Sequence, residues 1–177
     1  MSIKGYLKAT GKNLDSMTDL LVEMLKDLYD VEHSVMKALP MMADSAHDQS
    51  LKSAFHHHRD ETEAQIRRLE QCFDKLGVKP KRETCEGISG ILAEGEVLMH
   101  AKGEPHVKDA ALIATAQMVE HYEIAGYGSA RSFASHVNRS DIADLLQQTL
   151  KEEHETDSTL TQLAESVVNP ASAAASI

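Results

Sequence analysis

The sequence contains no tryptophan, only 4 prolines and 9 glycines, and few aromatic side chains of any kind. A β-sandwich or barrel needs many turns and strands rich in β-branched and aromatic residues, so this composition argues against both. Alanine, leucine, glutamate, lysine and methionine are abundant instead, and these residues favour helices. At 177 residues the chain is long enough for one domain with a substantial core. We therefore expect a single all-α domain.

Positive charge is also scarce, because 18 lysines and arginines face 28 aspartates and glutamates, a net charge of −10. Nucleic acids and anionic membranes both attract basic surfaces, so we expect neither as a partner. No apolar run is long enough to span a membrane, and Met1 to Thr10 does not have the pattern of a signal peptide. The two cysteines, Cys72 and Cys85, are too few for a disulfide framework. We interpret them as the reduced thiols of a cytoplasmic protein.

Apolar residues recur at helical spacing in four long segments that short breaks separate. The first helix is predicted to begin near Asp15 or Ser16. The second is predicted to begin at a cap, Asp48 or Ser50, and to end at Gly77, because glycine favours the position after a helix.

The remaining helices follow the same kind of pattern. A kink or break is expected inside the first helix at Pro40, because proline removes a helical hydrogen bond. A shorter helix is predicted over residues 85–102. The third long helix is predicted over 107–137, and the fourth begins at Ser140.

The connections between these helices predict their arrangement. Tight breaks make the first two long helices antiparallel neighbours, and likewise the last two, whereas about 30 residues separate the two pairs. So long a crossover lets the third long helix run parallel to the second, as in ferritin-like bundles. The sequence thus predicts a ferritin-like four-helix bundle over residues 1–169 with a short extra helix in the crossover, and a flexible tail over 170–177.

One glutamate interrupts the apolar face of each long helix near its middle: Glu32, Glu61, Glu120 and Glu153. Each of them, considered alone, could be an ordinary surface residue, because glutamate is rarely buried. Four at matching depth on four core faces are harder to explain that way. Buried carboxylates must be paired, protonated or bound to metal.

An internal repeat supports a common centre. Val31-Glu32-His33 matches Val119-Glu120-His121, and Arg59-Asp60-Glu61-Thr62 is similar to Lys151-Glu152-Glu153-His154. Two helical hairpins, each supplying one glutamate per helix, would place four carboxylates around a pseudo-twofold axis. A pair of metal ions would neutralise such a cluster, as in di-iron and di-manganese carboxylate bundles.

Further candidate ligands lie one helical turn from these glutamates. Glu123 follows Glu120, and Asp157 follows Glu153. The six carboxylates would then balance two trivalent ions in formal charge. Gln65 and His58 flank Glu61, and each is interpreted as a ligand or as a hydrogen-bonding partner of a ligand. Three other histidines adjoin proposed ligands and should point away from the site: His33, His121 and His154.

Several stretches of the sequence together resemble one known family. They are Lys26-Asp-Leu-Tyr-Asp30 with Glu32, Lys37-Ala-Leu-Pro40, Glu61-Thr62 with Gln65, Asp109-Ala-Ala-Leu-Ile113, Val119-Glu-His-Tyr-Glu-Ile-Ala125 with Tyr127-Gly128, and Glu152-Glu153 with Thr156-Asp157. Over nearly the whole chain, to about Asn169, the sequence resembles the YciE/YciF-type ferritin-like stress proteins. The resemblance implies a ferritin-like bundle, a dimer, a dinuclear metal site and a link to bacterial stress responses.

The sequence departs from the wider ferritin-like pattern, in which Glu-x-x-His occurs on two helices. Ala64 stands at the histidine position after Glu61, and Thr156 stands at that position after Glu153. His58 could supply one imidazole from the other side of Glu61. An oxygen-rich site of this kind suits iron or manganese better than copper or zinc.

Two functions remain open at this point. The first is a di-metal oxidoreductase or metal-handling protein, with bridging Glu61 and Glu153, that reacts with peroxide or oxygen or oxidises ferrous iron. The second is a non-enzymatic, homodimeric stress or structural protein with a structural or vestigial metal site. A many-subunit iron-storage cage is not expected, because the sequence shows no obvious fifth helix after the fourth long one.

Overall fold

The computed structural model of this chain describes residues 14–175, and within that range every regular element is a helix. In chain order the helices are α1 (Met17–Ser45), α2 (Gln49–Leu76), α3 (Glu86–His100), α4 (Pro105–His136), α5 (Ser140–Leu163) and α6 (Asn169–Ala175), with a π-helical segment (Ala164–Val168) between the last two. The predicted all-α class is confirmed. Residues 1–13 of the predicted domain and residues 176–177 of the predicted tail lie outside the described residues.

Local capping explains where the first two helices begin and end. The Ser16 hydroxyl accepts a hydrogen bond from the backbone N–H of Asp19, and the Asp48 carboxylate accepts two from the first turn of α2. Gly77 closes α2 in the left-handed conformation with φ of 68°, which costs glycine no steric strain. The predicted start of α1 and both predicted ends of α2 are confirmed.

Two boundaries differ from the prediction. Of the kink or break expected at Pro40, the break is absent, because α1 continues through the proline with buried Leu39 and Met42 on both sides of it. α4 begins two residues earlier than predicted. Its cap is the Glu104 carboxylate, which accepts hydrogen bonds from two backbone N–H groups, and Pro105 occupies the first position, where no N–H donor is needed.

Hydrogen bonds between the ends of the helices establish the topology. The buried Asp109 carboxylate, near the start of α4, accepts hydrogen bonds of 2.7 Å from the backbone N–H groups of His47 and Asp48, just before α2. At the other end, Arg139 donates to the Lys75 carbonyl oxygen across 2.9 Å. α2 and α4 therefore run parallel, while α1–α2 and α4–α5 form antiparallel hairpins. α3 lies in the crossover against α4 and α1, so the predicted ferritin-like arrangement is confirmed.

The interior has two apolar clusters with polar side chains between them. Cluster I includes Val35, Leu39, Leu51, Phe55 and Leu112. Cluster II includes Leu21, Leu25, Leu69, Phe73 and Ile142. Between them on the four long helices lies a polar band of buried side chains: Glu32, His58, Thr62, Gln65, Glu120, Glu123 and Glu153. These polar side chains lie between the two apolar clusters on all four long helices.

The chain remains helical beyond the predicted end of the domain. Val168 is buried, and the Ser172 hydroxyl donates a hydrogen bond of 2.7 Å to the His106 carbonyl oxygen, which attaches α6 to the start of α4. Pro170 lies in the first turn of α6, where its missing N–H is tolerated. Order thus extends past Pro170, although the division of the chain near residue 170 stays a prediction. Among residues 14–175, no helix has the length and apolar character of a membrane span.

Candidate metal centre

Four side chains of the polar band converge at mid-bundle. His58 comes from α2, Glu120 and Glu123 come from α4, and Glu153 comes from α5. One nitrogen or oxygen from each lies within 4.8 Å of those of the other three, and no member is more than 3% exposed. We call these four residues the ligand cluster. Three predicted carboxylates and the predicted histidine are therefore brought together by three different helices.

Glu32 brings a side chain from α1, the fourth of the long helices, to this centre. Its side chain is fully buried on α1, and one of its oxygens accepts a hydrogen bond from the Tyr127 hydroxyl. It interacts electrostatically with both His58 and Glu120. Tyr127 thereby fixes the orientation of the carboxylate from the cluster II side of the band.

Most polar atoms of the centre have no hydrogen-bond partner within the described residues. They are Glu32 Oε2, both ring nitrogens of His58, Glu120 Oε2, Glu123 Oε2 and both carboxylate oxygens of Glu153. His58 Nε2 lies 3.2 Å from Glu120 Oε1, but the two are a close contact rather than an aligned hydrogen bond. Buried polar atoms are nearly always paired, and leaving them unpaired costs free energy. Lone pairs that converge in one buried volume fit cations as their partners.

Burial raises the pKa of three carboxyl groups of the centre, Glu32, Glu123 and Glu153. It raises the pKa of Glu32 to about 8, although the hydrogen bond from Tyr127 acts in the opposite sense. Burial, followed by the charges of neighbouring carboxylates, holds the pKa values of Glu123 and Glu153 well above the usual range. Without a cation, burial therefore favours the protonated forms of these groups.

The same surroundings also change the pKa of His58. Burial lowers the pKa of His58, but the neighbouring carboxylates of Glu120, Glu32 and Glu61 together outweigh burial, and the net result is a raised pKa. Cations that replaced these protons would satisfy the same lone pairs, so metal binding would release protons. The donors, oxygen-rich with one imidazole, fit a pair of iron or manganese ions.

Glu61 lies at the edge of this centre and not in the dry interior. Its side chain is 23% exposed, with Oε1 3.4 Å from His57 Nε2 and Oε2 4.0 Å from His58 Nδ1. The expectation that it interrupts the core face is corrected here, because the buried residue at that level is the next one, Thr62. Successive helical residues point about 100° apart, so Glu61 faces the border of the bundle.

Asp157 is not brought into the ligand cluster. Its carboxylate accepts a hydrogen bond of 3.0 Å from Gln117 Nε2 and lies 3.5 Å from His121 Nε2. The spacing of four residues from Glu153 correctly predicted the same side of α5. One turn farther along, however, that side lies against the surface seam with α4.

Gln65 is buried, but it faces a neighbouring network that the sequence analysis did not identify. Its amide nitrogen donates a hydrogen bond of 3.2 Å to Glu152, which also forms a two-pronged ion pair with Arg68. Arg68 donates a further hydrogen bond of 2.7 Å to the Thr149 hydroxyl. The sequence spacing could have indicated this network. Gln65 and Arg68 are three residues apart and so share a side of α2, and Thr149 and Glu152 likewise share a side of α5.

The three histidines that adjoin proposed ligands in the sequence point away from the centre, as the sequence analysis expected. His121 is 69% exposed, His154 is exposed, and His33 packs its ring against Tyr29. None of them belongs to the ligand cluster.

Both cysteines have free thiols. Cys85 Sγ lies 2.9 Å from the Tyr122 hydroxyl, so this pair satisfies its own polar atoms.

Comparison with known proteins decides the family. Residues 16–173 match the family described as a domain of unknown function, DUF892. The chain belongs to this family. Protein YciF of Escherichia coli strain K12 is 38% identical over 158 residues, which cover 89% of this chain and 95% of YciF. The resemblance to YciE/YciF-type proteins is thereby confirmed.

Solved structures agree with this assignment to DUF892. The E. coli stress protein YciF superposes with a TM-score of 0.85 at 38% identity, over 88% of this chain and 99% of YciF. YcfI of Rhodopseudomonas palustris, described as a candidate structural protein, gives 0.82 at 37% identity over 88% and 98% of the two chains. A ferritin-like diiron-carboxylate protein of Bacillus anthracis gives 0.67 at 16% identity over 85% and 99%, a likeness that concerns the fold alone.

Proposed function

We propose that this DUF892 protein binds two iron or manganese ions through the ligand cluster together with Glu32. One observation carries the proposal: the ligand cluster, from α2, α4 and α5, brings one donor atom of each member within 4.8 Å of the others, and most of its buried polar atoms have no hydrogen-bond partner among the described residues. Leaving so many polar atoms unsatisfied would be costly, whereas two cations would occupy them together.

When bound, the ions would supply electron exchange with peroxide or oxygen, or with ferrous iron as substrate, and would polarise the oxygen atoms of the oxidant. The chain supplies the surroundings. Clusters I and II exclude water from both ends of the polar band, and the Tyr127 hydroxyl orients Glu32. Glu153, with both oxygens unpartnered and buried, is the best-placed bridging carboxylate.

Besides Glu32, two predicted ligands lie outside the ligand cluster, of which Glu61 is included in the proposed ligand set and Asp157 is not. Glu61 joins the ligand set from its border position, since its Oε2 is 4.0 Å from His58 Nδ1 and a side-chain rotation would suffice. Asp157 is excluded from the ligand set, because Gln117 and His121 already hold its carboxylate.

We place this chemistry in a stress response. The relative YciF is named a stress protein, and peroxide disproportionation and ferrous oxidation are the reactions that such a centre suits. Our proposal includes a homodimer working in the cytoplasm.

Metal analysis of protein purified without chelators tests the proposal. We expect about two ions per chain in the wild type and a loss of at least one in Glu153→Ala and in Glu120→Ala. Glu63→Ala, at an exposed position of α2, is the matched control and should bind like the wild type. An unchanged metal content in both cluster variants, with helicity intact, would contradict the proposal.

A second function is supported by the single imidazole at the centre, half of the usual ferritin-like pair. In this alternative the metal is structural, and the protein is a non-enzymatic dimer, in line with the description of YcfI. Measured rates of peroxide consumption and ferrous-iron oxidation distinguish the two functions. Metal-loaded protein that consumes peroxide or oxidises ferrous iron no faster than the free ions supports the structural role.

A further inference from the structure

A cavity of about 120 Å³ connects the ligand cluster with the surface between α2, α4 and α5. His58 and Glu120 form its inner wall, and the exposed side chains of His57 and Glu155 stand at its outer rim. Glu61 lies between the two. The cavity therefore joins solvent directly to two buried donors of the centre.

The cavity contacts only one side of the centre. Among the proposed ligands, it is lined by His58, Glu61 and Glu120, whereas Glu32, Glu123 and Glu153 do not line it. Neither ring nitrogen of His58 has a hydrogen-bond partner among the described residues, so the nitrogen that carries no proton can accept a cation arriving from this direction. The geometry makes this side the first point of contact for an incoming ion.

Two other cavities provide a comparison. One of about 240 Å³ lies between α1 and α4 beside Asp27 and Tyr122, and another of about 230 Å³ lies beside Met42 and Met99. Each is larger than the first, but neither is lined by a member of the ligand cluster. Size alone therefore does not identify the access route.

The charge at the rim fits a cation. Two carboxylates line the cavity, Glu61 inside it and Glu155 at the rim, where Glu155 is paired with Lys151, and the net charge of the chain is −10. An acidic opening with apolar walls such as Phe55 and Leu160 concentrates cations at the mouth and directs them inward.

We propose that divalent cations reach the centre through this cavity, with His58 and Glu61 as the first ligands that they meet. This inference rests on the proposed function and adds the direction from which the site fills.

Stopped-flow binding of Co²⁺, followed by its visible absorption, tests the route. Ala54→Leu and Thr159→Leu place bulk into the walls of the cavity without touching a proposed ligand. Thr159 is exposed, so the second variant tests the route even where the first disturbs packing. We expect at least a tenfold decrease in the binding rate in both, with the final Co²⁺ stoichiometry unchanged.

The matched control is Ala125→Leu, which fills the cavity between α1 and α4. It should bind Co²⁺ at the wild-type rate. Wild-type rates in both cavity variants, or slow binding only in Ala125→Leu, would overturn the proposed route. Failure of the wild type to bind Co²⁺ at all would instead contradict the proposed function, so the two failures are distinguishable.

Discussion

The two apolar clusters and the polar band between them contribute to stability in opposite ways. Clusters I and II bury large side chains, each of which stabilises the fold by about 1.5–3 kcal/mol. The band buries carboxyl groups whose oxygens lack partners, which destabilises the same fold. The comparison teaches that the ends of the bundle hold it together, while its middle lowers stability, a cost that the proposed metal ions would offset.

The largest expected effect is on the apolar side of this comparison. Phe73 is fully buried in cluster II, with its ring 5.7 Å from that of Tyr29 in an edge-on contact. Phe73→Ala should lower the free energy of unfolding by about 3–5 kcal/mol, because it removes apolar burial and leaves a cavity. Urea denaturation with a chelator present measures this, and a loss below about 1 kcal/mol would contradict the role given to cluster II.

The pH dependence of metal-free protein tests the polar band. The folded-state pKa of Glu32 is about 8, and its unfolded value is near 4.5, so between these values the folded protein holds a proton that the unfolded chain releases. Glu123 and Glu153 act in the same direction. The raised pKa of His58 adds stability that is present below its ordinary value of 6.5 and lost as pH rises above it.

Stability of the metal-free protein should therefore fall by a few kcal/mol between pH 5 and pH 8, since one pKa unit corresponds to about 1.4 kcal/mol. Metal-loaded protein should show the reverse trend, because its ligands must be deprotonated. Chemical denaturation at both pH values with and without metal is the measurement. Equal stability of the metal-free protein at the two pH values would disprove this description of the band.

Replacing a member of the band should stabilise the metal-free protein. Glu153→Leu removes a buried carboxyl group with two unpartnered oxygens and substitutes apolar volume, so we expect a gain of about 1–3 kcal/mol. The same variant should lose metal binding. Thermal denaturation after chelation checks the gain, and a large destabilisation would show that the carboxyl group has a structural partner.

The smallest effects distinguish two adjacent arginines. Arg68 is mostly buried and is bonded to Glu152 and Thr149, so Arg68→Ala should cost about 1–3 kcal/mol. Arg67 pairs with Glu63 on the exposed surface, and Arg67→Ala should cost less than about 0.5 kcal/mol. Equal losses in urea denaturation would remove the distinction between the network beside the band and the solvated surface.

Much of this structure could be predicted from local sequence rules. Helical periodicity placed Glu32, Glu120 and Glu153 on buried faces, and the capping residues gave the start of α1 and both ends of α2. These features depend on neighbours within one helix, which the sequence displays directly.

The rest depends on how the helices rotate and slide against each other. Glu61 and Thr62 are adjacent, and periodicity did not decide which of them faces the interior. Asp157 shares a side of α5 with Glu153, yet its partner is Gln117 on another helix. Such lateral positions are determined by packing between distant segments, which one sequence does not display.

The central claim is that cations occupy the mid-bundle centre, and crystallographic anomalous scattering at the iron and manganese edges tests it most directly. For protein purified without chelators, the account predicts two anomalous peaks between His58, Glu120, Glu123 and Glu153, roughly 3.5–4 Å apart. A well-ordered centre that shows no peak at either edge, with those carboxyl groups hydrogen-bonded to one another or to water, would contradict it.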